Sequence, residues 1–184
     1  MNFAEFAPLA LRTAKPLNAK DQSAHSFLGF LGELGELADT LKRWHIYKQP
    51  LNRENAVEEC GDILWFIAYY ADIRGYKKDS LYGNFDKVAQ VVDTLNTTPY
   101  QHQAMYGALI SANDWFMKLF LEGDDTYGRV LAGLYYDILI MLKHLESSQD
   151  EAFNACLNKL SKRYPEGYTD WHALEREDKK VLLN

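Results

Sequence analysis

Phe27, Phe30, Leu31, Leu34, Leu37, Ala38, Leu41 and Trp44 recur at three- and four-residue spacing, the signature of one helical face. Asp21 or Ser23 suits the start of that helix, and Pro50 lies just beyond its end. A second helix is predicted from Asn52 or Asn55 to about Ile73, with Gly75 as its stop. Residues 63–70 of this helix are apolar nearly all round, so it is covered on most sides. The link between the two is short, which favours an antiparallel pair. Further helices fit residues 99–121, 127–145 and 150–163, with a shorter one at about 2–13. Turn-rich Glu122-Gly123-Asp124-Asp125 and Tyr164-Pro165-Glu166-Gly167 punctuate them. No stretch alternates as a strand would. The expectation is an all-α, antiparallel helical bundle forming one domain over residues 1–184.

Sliding the chain by 75 residues places Gly32, Leu34, Asp39, Asp62, Ile63 and Leu64 on Gly107, Leu109, Asp114, Asp137, Ile138 and Leu139. No gap is needed across the two helices and their linker. On that alignment residues 82–148 are an extra helical pair, either a helical insertion or a degenerate repeat of the unit at 21–75, and residues 150–184 form a closing helix and tail. The repeat keeps the scaffold and loses most of the acid: Glu33, Glu36 and Glu59 become Ala108, Ser111 and Leu134.

Apolar residues make up 47% of the chain, enough for a core that needs no disulfide framework. The net charge of −6 argues against a nucleic-acid partner, which needs a clustered positive field. Cys60 and Cys156 match no metal spacing and read as buried free thiols in a reducing compartment. The longest apolar run, 63–71, is half a membrane span, and no targeting signal is visible, so a soluble, cytoplasmic protein with no membrane partner is expected.

Chemistry concentrates in Glu33 and Glu36 on the first long helix and Glu59 and Asp62 on the second. Each pair is spaced i, i+3, which puts both side chains on one helix face. Antiparallel packing can gather the four around one point, where mutual repulsion calls for a cation. Carboxylate oxygens suit Mg²⁺. The competing reading is a pair of solvated acidic faces. The adjacency of both pairs to apolar stripes favours the metal. Gly29, Gly32 and Gly35, each costly inside a helix, indicate close approach of a neighbouring helix or of a ligand, with helix packing the commoner cause. His25, one turn before Gly29, reads as a surface or capping histidine, with approach to the site as the alternative. Trp44, Trp65 and Tyr164 read as core, with stacking on a base as the alternative.

Gly32-Glu33-Leu34-Gly35-Glu36-Leu37-Ala38-Asp39, then Lys42-Arg43, then Glu58-Glu59-Cys60-Gly61-Asp62-Ile63-Leu64-Trp65 resemble the MazG-like all-α nucleoside triphosphate pyrophosphohydrolases, whose signature is ExxE followed by ExxD. Ala10-Leu11-Arg12-Thr13-Ala14 resembles the lead-in of that family. Lys159-Leu160-x-Lys162-Arg163-Tyr164-Pro165-Glu166-Gly167-Tyr168 resembles the closing segment of its phage and bacterial members. Three departures stand out: Gly32 where many members carry a further Glu, Cys156 where an asparagine is common, and the added block at 82–148. The resemblance implies a house-cleaning enzyme that converts a (d)NTP to the monophosphate and pyrophosphate by attack of water at the α-phosphorus. It implies Glu33, Glu36, Glu59 and Asp62 as ligands to Mg²⁺, with Mn²⁺ as a substitute. Glu36 is the choice for the catalytic base, and Lys42, Arg43, Lys159 and Arg163 are candidates to grip the phosphates. In the related dimeric dUTPases one chain holds two such units, only one of them catalytic. A homodimer, or a monomer that is an internal pseudo-dimer, is therefore expected.

Rival readings are a dUTPase, a phosphoribosyl-ATP pyrophosphatase or an alarmone hydrolase of the same superfamily, and a non-catalytic helical interaction protein. The chain lacks a GxxxxGK[ST] loop, a GxSxG elbow and an HExxH pair.

Overall fold

A computed structural model describes residues 1–76, 78–121 and 127–175. These form eight helices and no strand: α1 (Phe3–Leu11), α2 (Ala19–His45), α3 (Arg53–Ile73), α4 (Lys78–Thr94), α5 (His102–Leu121), α6 (Tyr127–His144), α7 (Gln149–Arg163) and α8 (Asp170–Glu175). The all-α expectation holds. The turn expected at Glu122–Asp125 and the end of the tail lie outside the described residues.

Several boundaries differ from expectation, each for a local reason. Asn18, not Asp21 or Ser23, caps α2: its side chain accepts from the Asp21 backbone N–H at 3.0 Å. Asp21 instead sits in the first turn, where a carboxylate favours the helix dipole. Asn52 caps α3 through Asn55, and Gly75 follows its end at φ 65°, the left-handed conformation that glycine adopts without strain. Helix α5 begins at His102, after Tyr100, whose φ of 55° keeps it out of the helix. The added block contains three helices rather than a pair, because residues 78–94 are α4. Its buried Leu81, Phe85 and Val92 lie at helical spacing, but Gly83 and the β-branched Val88, Val91 and Val92 obscure the pattern.

Helices α2 and α3 form an antiparallel hairpin. Near its turn Asn55 Nδ2 donates to Thr40 Oγ1 at 2.9 Å, and farther from the turn Glu33 meets Glu59 and Asp62. Helices α5 and α6 pair in the same way, with Trp115 over Gly133 and Ser111 hydrogen-bonded to Asp137. The hairpins meet where Phe30 stacks on Phe116 at 3.7 Å and Tyr70 donates to the Leu119 carbonyl at 3.1 Å. Two more helices enclose α3. Trp65 Nε1 donates to the Ala10 carbonyl of α1 at 3.0 Å, and Gly61 lets α7 approach so closely that a Cβ there would overlap the Ala152 carbonyl. Phe3, Phe6, Phe85, Tyr135 and Phe153 knit α1, α4, α6 and α7 into one aromatic cluster. Arg53 grips the α6–α7 turn, donating to the Leu145 and Glu146 carbonyls and to both oxygens of Glu151.

Enclosure of α3 on all sides accounts for its near-total burial from Ala56 to Ala71, including two acids. Helix α4 starts 75 residues after α1 and packs on α6 as α1 packs on α3. No helix among the described residues is long and apolar enough to cross a membrane.

Candidate metal centre

Glu33 from α2 and Glu59 and Asp62 from α3 each present an oxygen within 4.8 Å of the others. Glu59 is 4% exposed and Asp62 7%, while Glu33 is half-buried at the mouth. The i, i+3 step on α3 stacks its two acids one turn apart, and the hairpin register sets Glu33 against them. Burial, then the charge of Asp62, pushes the Glu33 carboxyl up to about 7. Burial, then Asp62 and Glu33, pushes Glu59 up to about 8. The two carboxyls hydrogen-bond to each other, which requires a proton between them. A carboxylate trio this crowded can hold a metal ion, since a hard cation is what such oxygens lack.

One cation already answers part of that charge. Lys159 of α7 pairs with Asp62 and lies 3.2 Å from Glu58. Burial opposes its charge, but Asp62 outweighs that and keeps the ammonium protonated well above the usual lysine range. Beside the acids opens a cavity of about 220 Å³. Its lining combines charged groups (Glu33, Asp62, Lys15, Lys159 and Arg163) with the rings of His25, Trp65, Phe66, Tyr164 and Tyr168. Arg12 donates to the Tyr164 carbonyl at 3.0 Å and so ties the segment after α7 to the end of α1.

The other residues singled out by sequence fall differently. Glu36 is exposed one turn along α2 and lines a separate, open cavity with Thr40, Arg43 and Asn55, outside the close trio. Moving from Glu33 to Glu36 climbs toward the hairpin turn, where Asn55 rather than an acid faces α2. Lys42 and Arg43 are exposed and bound to Asp39, Arg43 at 2.6 Å, and neither lines the cavity beside the trio. Trp65 and Tyr164 are buried, yet both contribute to the cavity wall, whereas Trp44 packs against Tyr100 and His102 far along α2. Cys60 and Cys156 are buried free thiols, as expected.

One feature was not legible as a site feature in the sequence, and another only as the less favoured of two readings. His25 is half-buried and lines the cavity, the approach to the site rather than the favoured surface or capping role. Lys15 reaches the same cavity from the α1–α2 connection while paired with Asp170 at 2.6 Å. The glycines divide by role. A Cβ at Gly29 would overlap the Phe66 ring, so this glycine is what seats the aromatic wall against α2; Gly32 and Gly35 face open space. Comparison of the chain with protein-family models, with curated proteins and with solved structures finds no match.

Proposed function

We propose that the protein is a Mg²⁺-dependent nucleoside triphosphate pyrophosphohydrolase that converts a (d)NTP to the monophosphate and pyrophosphate. The observation that carries this reading is a cluster of three carboxylates, two of which line a cavity together with Lys15, Lys159 and Arg163 and the rings of Trp65, Phe66 and Tyr164. The donor set fits the ion: all oxygen, two of the three buried, with the proton affinities of Glu33 and Glu59 raised by burial and by their acidic neighbours. Glu33, Glu59 and Asp62 would hold it. When bound, Mg²⁺ supplies neutralisation of the phosphate charge and acidifies a coordinated water.

The chain's own residues do the rest. Lys159, Lys15 and Arg163 draw the triphosphate to the acids and hold it there by charge-assisted hydrogen bonds. Trp65, Phe66 and Tyr164 take the apolar faces of the base. Glu36, which lines the separate cavity one turn along α2, is out of reach of a water held at the trio and has no part in this reading. Lys42 and Arg43, held by Asp39, have no part in this reading. The recurrence of α1–α3 as α4–α6 further supports a duplicated unit whose acids have become Ala108, Ser111 and Leu134, with only Asp137 kept. That unit covers α3, as a partner subunit would.

The test is hydrolysis of a panel of NTPs and dNTPs with Mg²⁺ or EDTA, with chromatographic separation of products. Monophosphate plus pyrophosphate, lost with EDTA and in Asp62→Asn, is expected. Diphosphate plus orthophosphate would overturn attack at the α-phosphorus. No turnover and no nucleotide binding would favour a non-catalytic interaction protein.

A further inference from the structure

His25 stands among the rings that line the cavity. Its ring lies edge-on to Trp65 at 6.1 Å and to Tyr69 at 5.3 Å, and tilted to Phe66 at 5.6 Å. Gly29, one turn later on the same helix, lets Phe66 close against α2, so His25 and Phe66 form a continuous wall. Nδ1 of His25 is sealed from solvent and has no hydrogen-bond partner. Burial, then the nearby Lys15 charge, lowers the pKa of the ring and keeps it neutral near pH 7.

A neutral imidazole carries one proton, and its position follows from the surroundings. Nδ1 is shut off from solvent and from partners, so Nε2 is the ring nitrogen that can meet a ligand, as a donor when it carries the ring's proton. His25 thus offers the cavity a hydrogen-bond donor beside the stacking surfaces of Trp65 and Phe66.

We propose that His25 is a specificity-determining residue whose Nε2–H donates to a ring carbonyl of the bound nucleobase, selecting carbonyl-bearing bases over adenine. This rests on the nucleotide reading above and adds to it a substrate class. Uracil, thymine, cytosine and guanine all carry a ring carbonyl, and adenine carries none. A base lacking the acceptor leaves the N–H unpaired in a confined site, which costs about tenfold in kcat/KM.

The experiment compares wild type, His25→Phe and His25→Gln on dUTP, dCTP, dGTP and dATP with Mg²⁺, with dissociation constants for the same nucleotides. Phe keeps the ring packing without the donor, and Gln restores an N–H at a similar reach. Wild type should prefer its best carbonyl-bearing substrate over dATP by about tenfold or more. His25→Phe should erase most of that ratio by raising KM for the carbonyl-bearing substrates more than for dATP, and His25→Gln should recover part of it. ¹⁵N NMR of the wild-type histidines supplies an independent readout that needs no variant. It should show the Nε2–H tautomer at His25, with a signal that moves when dUMP binds but not when pyrophosphate binds. A folded His25→Phe that keeps the wild-type ratio, a wild type that favours dATP, or an Nδ1–H tautomer overturns the role of His25 while leaving nucleotide hydrolysis standing. A wild type that neither hydrolyses nor binds any nucleotide overturns both.

Discussion

Replacing Glu59 with glutamine keeps the shape of the side chain and removes its charge. In the unfolded chain this carboxyl ionises near pH 4.3, roughly the ordinary glutamate value. In the folded protein, burial and its acidic neighbours defer ionisation to about 8. The sign follows from linkage: the unfolded state gives up the proton first, so stability is greatest below about pH 4 and declines as pH rises toward 8. At about 1.4 kcal/mol per pH unit, an isolated group displaced this far would cost on the order of 5 kcal/mol. Glu33 shares the proton and is itself displaced to about 7, so glutamine should return only part of that, about 2 kcal/mol at pH 8.5. For a chain of 184 residues this corresponds to a rise in melting temperature of roughly 4–8 °C. The assay is thermal denaturation in EDTA at pH 5, 7 and 8.5. The Glu59→Gln advantage should be largest at pH 8.5 and shrink toward pH 5, and the variant should not hydrolyse nucleotides. Millimolar Mg²⁺ should raise the wild-type melting temperature and leave the variant's nearly unchanged. A wild type that melts above the variant at pH 8.5 in EDTA would refute the reasoning, because the carboxylates would then be stabilising one another without a metal.

Three further outcomes are expected. Asp137, buried with Oδ2 unpartnered, is pushed up to about 6 by burial; its stability is full at low pH and lost as pH rises from about 4 to 6, so Asp137→Asn should stabilise the fold at pH 7 by about 1–3 kcal/mol in urea titrations. Gly61→Ala forces a methyl group into the Ala152 carbonyl and should destabilise by about 1–3 kcal/mol in the same titrations, with nucleotide hydrolysis reduced because Lys159 moves with α7. Lys159→Met removes the cation that offsets Asp62; it should lower the melting temperature at pH 8, and Mg²⁺ should restore more of the loss than it adds to wild type.

Long amphipathic stripes made most of the helices readable, because α2 buries Phe30, Leu34, Leu37 and Leu41 on one side and exposes charge on the other. Helix α4 escaped because its buried set is sparse and interrupted by Gly83. Spacing alone brought out Glu33, Glu59 and Asp62, since an i, i+3 pair on a helix has fixed geometry once the hairpin is antiparallel. Spacing could not say that Glu36 points into a different cavity: that depends on the register of α2 against α3. Lys42 failed for a simpler reason. Nine residues beyond Glu33, it emerges on the opposite side of the helix. His25 could be placed near the site by its position one turn before Gly29, but not in the wall, which depends on how α2 packs onto α3. Lys15 enters from the α1–α2 connection, and no local pattern announces that contact.

The salt bridge between Lys159 and Asp62 spans 97 residues of sequence. Its cation arrives on α7, after both helical hairpins have been synthesised. Until that helix docks, the three acids lack their counter-charge and α3 lacks the cover that Gly61 admits. A nascent or shortened chain can therefore pair its helices but cannot finish the cavity. Closing so long a loop is slow relative to forming either hairpin. The completed site is thus a property of the whole helical assembly, since only a molecule that has seated α7 sets Lys159 against Asp62.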